Sequence, residues 1–495
     1  MTIRVLHVAS ELYPLLKTGG LADVTAALPA ALIELGADAR VLLPGFASVA
    51  KGLADLRPIA RLERSFGAGE ATLELGRLPG NAGNDLPVYM IRADAFYSRP
   101  GNPYLDDEHV PYGDNAQRFA LLGWAAAQLA QHLDPAWAPH IVHAHDWHAG
   151  LAGAYLRAAA RERGHTSAAG HALARSVFTI HNLAYQGIFP ARQFNELGLP
   201  ADFFDMHGIE FYGQLSFLKA GLYYADKITT VSPTYAREIQ TVAQGGGLEA
   251  LLKGRAHDLV GILNGVDYSV WSPAADEAIA ARYSVTRMSG KLRCKAALQQ
   301  RFNLTQKHDA PIFGVVSRLT EQKGLDLLLA ALPEIVARGG QLVVLGTGDA
   351  SLEAGFTRAA RQHPDAVAVE LGFDETLAHE IVAGADVMMV PSRFEPCGLT
   401  QLYALAYGAL PLVHRTGGLA DTVTDASLEN LADGTATGFV FERFEPDALT
   451  AAIRRAFALH ARSRDWRDTR ARGMREDFGW AASAQRYMAL YRELV

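Results

Sequence analysis

Several short stretches of this chain combine residue types that do chemistry on phosphates and sugars. Lys17-Thr18-Gly19-Gly20 sets an ammonium beside two glycines at the mouth of a helix expected to begin near Leu21. Free N–H groups and the positive end of a helix dipole favour an anion there, and the lysine adds a mobile point charge. An ordinary tight turn is the alternative. The stretch from Ser317 to Gly324 carries Arg318 and Lys323 on one loop between a strand and a helix. A guanidinium and an ammonium so placed can hold a diphosphate and neutralise the charge that grows as it leaves, unless they are only a solvated loop pair. In Pro391 to Thr400, Glu395 can accept hydrogen bonds from sugar hydroxyls, while the N–H groups of Gly398, Leu399 and Thr400 face phosphate at the start of a helix expected over 399–407. Its alternative is an acidic neighbour of a helix cap. Cys397 beside that start reads as buried packing rather than a reactive thiol.

Histidines crowd two strand ends, His143-Ala144-His145-Asp146-Trp147-His148 and Thr179-Ile180-His181-Asn182. Asp146, His181 and Asn182 suit hydrogen bonding to sugar hydroxyls, and Trp147 suits stacking on an apolar sugar face. His143 and His145 alternate onto one strand face and with His148 or Asp146 could imitate a metal site, but a satisfied core histidine is the better reading of His143. The run from Tyr97 to Tyr104 is aromatic and rich in Pro and Gly, a loop that either lays rings, Tyr97 first, against a polysaccharide or packs on the protein. No Asp-x-Asp pair and no zinc-like Cys or His spacing occurs, so a transferase that needs no metal cofactor fits best, with cationic side chains meeting the diphosphate.

The elements that must position these residues are short apolar strands alternating with Ala/Leu-rich helices, expected over 4–9, 39–43, 141–144, 176–180, 227–231, 259–263, 312–316, 342–345 and 387–390. Such a rhythm implies parallel sheets buried on both faces, whose ligands sit beyond the carboxyl ends of the strands. Residues 161–175 are read as a surface loop, and 276–290 are poorly patterned. A turn at Asn264-Gly265-Val266-Asp267 suggests a domain boundary near 260. The segment Lys17-Thr18-Gly19-Gly20-Leu21-Ala22-Asp23 recurs as Arg415-Thr416-Gly417-Gly418-Leu419-Ala420-Asp421, suggesting two halves of like design, with helix–strand packing the plainer role for the second pair of glycines.

At 495 residues the chain exceeds one ordinary core, so two sizeable domains are expected. A composition of 49% apolar and 20% charged residues with net charge -7 excludes extensive disorder and advertises neither nucleic acid nor an anionic membrane as partner. Two distant cysteines, Cys294 and Cys397, exclude a disulfide scaffold and fit a reduced compartment. The amino terminus has the look of neither a secretory signal nor a transit peptide, and no apolar run approaches the roughly 18 residues of a membrane helix, so a soluble cytoplasmic protein is expected.

Taken in order, Lys17 to Leu21, His143 to Gly150, His181-Asn182-Leu183-Ala184-Tyr185-Gln186-Gly187, Asn264 to Asp267, Ser317-Arg318 to Lys323-Gly324 and Pro391 to Gln401 resemble the bacterial glycogen synthases and plant starch synthases over nearly the whole chain. The resemblance implies an α/β GT-B fold, two doubly wound Rossmann-like domains facing a central cleft: 1–260 on the acceptor side, 261–475 on the donor side, and a helix in 476–495 crossing back to the first. It implies glucose transfer from ADP-glucose to the non-reducing 4-hydroxyl of an α-1,4-glucan, glycogen, with retention of configuration. By position, Lys17 and Gly20 would lie near the donor, Arg318 and Lys323 would hold its diphosphate, Glu395 would contact its glucose, and Asp146, His181 and Asn182 would line the sugar site. Where the wider retaining superfamily often has a second glutamate, eight positions after the first, this chain has Tyr403, as the bacterial synthase branch does. A UDP-glucose-preferring synthase, a nucleotide-sugar epimerase of the same fold and a silent glucan-binding scaffold are the competing readings. Oligomeric state is not legible.

Overall fold

In the computed structural model, which describes residues 2–80, 85–163 and 173–495, the apolar runs form strands whose carboxyl ends carry the polar motifs. The chain divides into two compact units, one of residues 1–231, 236–265 and 480–495, the other of residues 232–235 and 266–479. The sequence boundary expected near 260 compares with a division after Gly265, and the last helix runs Trp480–Leu494. Of the loop expected over 161–175, residues 164–172 lie outside the described residues. Among the described residues no helix is long and apolar enough to cross a membrane.

The first unit is built on a nine-stranded sheet of β1 (Arg4–Val8), β2 (Asp38–Pro44), β3 (Ala54–Arg61), β4 (Thr72–Leu78), β5 (Leu86–Arg92), β6 (Ile141–His145), β7 (Arg175–Ile180), β11 (Lys227–Thr230) and β12 (Leu259–Gly261), with a separate antiparallel sheet of β8 (Ile188–Pro190), β9 (Glu210–Phe211) and β10 (Gln214–Ser216). The large sheet runs β12-β11-β7-β6-β1-β2-β5-β4-β3. It is parallel from β12 to β5, where the strands are apolar on both faces, and antiparallel at the β5-β4-β3 edge. The outermost strand carries Arg57, Pro58 and Arg61, residues that discourage further pairing at an open edge. Strand order reverses between β1 and β6, so the loops leaving them part there and open a crevice at the strands' carboxyl ends. The helices Gly20–Glu34 and Trp480–Leu494 share one core with β1, in which Val24, Leu28 and Leu32 pack with Trp480, Tyr487 and Tyr491.

The second unit is a six-stranded, wholly parallel sheet of β13 (Ile312–Val316), β14 (Gln341–Gly346), β15 (Val367–Leu371), β16 (Val387–Val390), β17 (Leu410–His414) and β18 (Phe439–Phe441), in the order β15-β14-β13-β16-β17-β18. Apolar cores cover both faces: one includes Phe313, Leu328, Val344 and Ile453, the other Ile312, Val343, Ile381 and Met388. Here the order reverses between β13 and β16. The loops leaving those two strands are the ones that carry Arg318 and Lys323, and Glu395.

Candidate active site

In the second unit the two exit loops are clamped together by their backbones. Gly324, with φ 66°, closes the turn between a 3-10 segment, Glu321–Lys323, and the helix Leu325–Ala337; a Cβ there would stand 2.0 Å from the Pro391 carbonyl oxygen. Only glycine meets both the left-handed conformation and that approach. The Arg393 N–H donates to the Gln322 carbonyl at 2.8 Å. This clamp delivers Lys323 to Glu395: the ammonium donates to Oε2 at 2.7 Å, and the Ser392 hydroxyl donates to the same oxygen at 2.8 Å. Glu395 is 6% exposed, so its charge is held by a cation and a hydroxyl rather than by water. Arg318 is exposed on the β13 exit loop.

Gly398, with φ 74°, turns the chain into the helix Thr400–Ala406, which Leu399 precedes. The Gln401 amide braces this turn by donating to the carbonyls of Cys397 and Gly398. Cys294 and Cys397 are both free and buried.

In the first unit the glycine loop departs from expectation. Its N–H groups are not all free: those of Thr18 and Gly19 donate to the Glu11 carboxylate, at 2.6 and 3.3 Å, and the Thr18 hydroxyl adds a bond of 2.6 Å. Glu11, itself 3% exposed, also accepts from the Tyr104 hydroxyl at 2.5 Å. Lys17 forms an ion pair with Asp23 at 3.1 Å, and Gly20 opens the helix Gly20–Glu34. Glu11 escaped the sequence reading, although an acidic residue three places beyond a buried strand, on the same loop as the glycines, was a signal for it.

On the histidine-rich strand ends, His143, His145, Asp146 and His148 are buried. Asp146 has φ 54°, a conformation that strains a residue with a Cβ and is seen where the surroundings enforce it. Its Oδ1 accepts from the N–H groups of His181 at 2.7 Å and Asn182 at 3.3 Å. Burial pushes its carboxyl up to about 7, against the pull of those two bonds. Asp146 is 6% exposed, and through these two bonds it holds the loop carrying His181 and Asn182. Burial alone lowers His181 to about 3, leaving a neutral ring whose Nε2 lies 3.0 Å from His145 Nδ1.

Tyr97 and Trp147 both pack on the protein. Tyr97 lies in the short helix Asp94–Tyr97, is 2% exposed and donates to the Arg118 carbonyl at 2.7 Å, so it offers no face to a glucan. Trp147 is half-buried among Tyr104, Phe119, His148 and Phe189, against Gly187, where a Cβ would come within 2.5 Å of the indole. The metal-like grouping that does form joins His143 and His145 to His7 rather than to His148 or Asp146.

A family profile described as the starch synthase catalytic domain matches residues 4–254, and one for glycosyl transferases group 1 matches residues 297–472. The glycogen synthases of Francisella tularensis subsp. novicida and Francisella philomiragia subsp. philomiragia are each 56% identical over 494 residues, covering 100% of this chain and 99% and 100% of theirs. The chain belongs to the glycogen and starch synthase family. As a member of it, the protein is a hexosyltransferase with the GT-B fold, and the epimerase and scaffold readings fall away. The catalytic domain of Starch Synthase IV from Arabidopsis thaliana, solved bound to ADP and acarbose, superposes with a TM-score of 0.89 at 30% identity, covering 100% of this chain and 99% of that one. Sucrose-phosphate synthase from Thermosynechococcus elongatus, at 18% identity and a TM-score of 0.57, shares the fold.

Proposed function

We propose that this synthase lengthens glycogen by moving glucose from ADP-glucose to the non-reducing 4-hydroxyl of an α-1,4-glucan, with retention of configuration, in the cytoplasm. The observation that carries the donor assignment is the Lys323–Glu395 pair at the strand-order reversal of the second unit, in a fold whose starch synthase relative was solved with ADP. Lys323 uses one donor on Glu395 and keeps two for phosphate oxygens, and the Arg318 guanidinium adds the geometry that grips a diphosphate. Together they meet the leaving charge without a metal ion. Glu395 Oε2 is taken by Lys323 and Ser392, which leaves Oε1 for hydroxyls of the donor glucose. Gly398, Leu399 and Thr400 supply N–H groups beside the phosphates.

From the first unit, Lys17 and Gly20 serve the donor, and His181 and Asn182 serve the sugar. The C1–O bond to ADP breaks as the acceptor 4-oxygen bonds to C1 on the same face, and the departing phosphate oxygen takes the acceptor proton. A glucosyl-enzyme detected by mass spectrometry after rapid quenching would contradict that route. The donor is tested by transfer of radiolabelled glucose to glycogen from ADP-glucose and from UDP-glucose at matched concentrations, scored as kcat/KM. A strong ADP preference is the expected result, and a UDP preference would overturn the donor assignment while leaving the transferase intact.

A further inference from the structure

The first unit contains a row of imidazoles that the transfer chemistry above does not use. His7 on β1 and His143 on β6 are register partners, His145 follows two residues along β6, and all three are fully buried. Their nitrogens lie within 4.8 Å of one another, close enough to suggest a metal ion. Yet His143 is already bonded to the hydroxyls of Thr179 at 2.6 Å and Tyr491 at 2.7 Å, and the two nitrogens of His145 face His7 Nδ1 at 3.0 Å and His181 Nε2 at 3.0 Å. A divalent ion would have to break these bonds in a buried site whose three ligands bring no negative charge to balance it. The row is instead a hydrogen-bonded chain, His7–His145–His181, that ends on the residue assigned to the sugar.

Proton counting gives this chain a direction. Burial lowers His7 and His181 to about 3 and His143 and His145 well below the ordinary value, so each ring is neutral and has one N–H and one lone pair. If His181 donated from Nε2, His145 would donate from Nε2 in turn, and His7 would keep its proton on its own Nε2. That nitrogen is buried and has no partner within the protein, and an orphaned buried N–H is rare in folded proteins. Run the other way, the chain leaves only an unused lone pair at His7. His7 Nδ1–H then donates to His145 Nε2, His145 Nδ1–H donates to His181 Nε2, and His181 carries its proton on Nδ1, the ring nitrogen outside the chain.

The geometry points to a tautomer lock: His145, braced by His7, holds His181 in the Nδ1–H form, so that His181 meets the substrate as a fixed hydrogen-bond donor. His7 and His145 are thus positioning residues for the transfer, an inference that rests on the assignment of His181 to the sugar site.

Nitrogen NMR of the full-length protein labelled with 15N-histidine reads the tautomer directly, with the His181 signal identified by its loss in His181→Ala. Protonation at Nδ1 is expected; protonation at Nε2, or averaging between the two, overturns the lock. In kinetics, folded His145→Phe, which fills the space but removes the donor, is expected to lose kcat roughly ten- to hundredfold while KM moves far less. His145→Asn, which retains an N–H near the Nδ1 position, should recover most of the loss, and His145→Phe should add nothing to His181→Ala. Wild-type kcat in folded His145→Phe overturns the positioning role. Should His145→Phe fail to melt cooperatively, His7→Phe replaces it with the same expected signs. Full kcat in His181→Ala would sink the sugar-site assignment and the positioning role with it, and the wild-type spectrum distinguishes that result from failure of the lock itself.

Discussion

The two copies of the repeated segment, Lys17 to Asp23 and Arg415 to Asp421, share six of their seven residues, in a row, and do different work. In the second, the glycines exist for close packing. Gly417 has φ 44°, and a Cβ there would stand 1.9 Å from the Glu395 carbonyl oxygen; one on Gly418 would stand 2.1 Å from that of Cys397. The Gly418 N–H donates to the Glu395 carbonyl at 3.1 Å, so this copy supports the backbone that carries the carboxylate. In the first copy a Cβ on Gly19 would meet nothing within 4 Å, and the loop's N–H groups bind Glu11. The same wording therefore seats a neighbouring loop in one unit and leaves open space at a helix mouth in the other. A glycine pair alone does not identify a ligand site; what its missing Cβ would have struck decides the matter.

The steepest contrast between the units should appear in acid. His7, His143, His145 and His148 of the first unit are buried, and burial holds their folded-state values far below the ordinary 6.5, to about 3 for His7 and His148. A depressed value means that this stability is present above 6.5 and lost as pH falls from there toward 3, because the unfolded chain takes up protons the folded one refuses. With His181, also held to about 3, five such groups set a ceiling of about 7 kcal/mol per pH unit, from which Asp146, held up to about 7 in the folded chain, takes back about 1.4. Denaturant melts between pH 7 and 4, read by hydrogen exchange in each unit, should show the first unit failing first; parallel loss in both would break the contrast.

Gly417→Ala should come next, with transfer all but abolished and the second unit destabilised by about 3 kcal/mol or more, since both the conformation and the space are wrong for a Cβ. Gly19→Ala, its counterpart, should melt within about 1 kcal/mol of the parent. Equal damage from both substitutions would refute the division of labour. Lys323→Ala sharpens the same point, because the second copy's support of Glu395 matters only if the pair is catalytic: kcat/KM should fall roughly a hundred- to a thousandfold with glycogen binding retained. The smallest effect belongs to Tyr97→Phe, which removes a buried hydroxyl's bond to the Arg118 carbonyl and should cost about 1 kcal/mol of stability while leaving KM for glycogen unchanged. A raised KM would restore Tyr97 to the glucan site.

The parallel strands were legible because apolar runs such as Ile312–Val316 and Val387–Val390 are buried on both faces and need no knowledge of their neighbours. Their exit loops, and so Arg318, Lys323 and Glu395, followed from that placement. The antiparallel edge, Ala54–Arg61 with Thr72–Leu78, was not legible, being mostly half-exposed and polar. Nor were Glu11 and His7, whose roles arise only when distant segments meet: Glu11 needs Thr18 and Tyr104, and His7 needs His145. Tyr97 was left open between contact with a glucan and packing on the protein because a stretch rich in aromatics, proline and glycine reads either way. The buried guanidinium of Arg118, bonded to the carbonyls of Phe96 and Pro103, draws that stretch inward.

The helix Trp480–Leu494 lies in the core of the first unit, beside the helix Gly20–Glu34, and its Tyr491 hydroxyl reaches His143. This has a consequence for the order of biosynthesis. The second unit, drawn almost wholly from residues 266–479, has all its strands once Phe441 has left the ribosome. The first unit begins to emerge earlier but must wait for a segment translated some 200 residues later, roughly ten to forty seconds at ordinary elongation rates. During that interval the faces of Val24, Leu28 and Leu32 that will receive Trp480 and Tyr487 have no native cover, so the unit synthesised first is the one completed last.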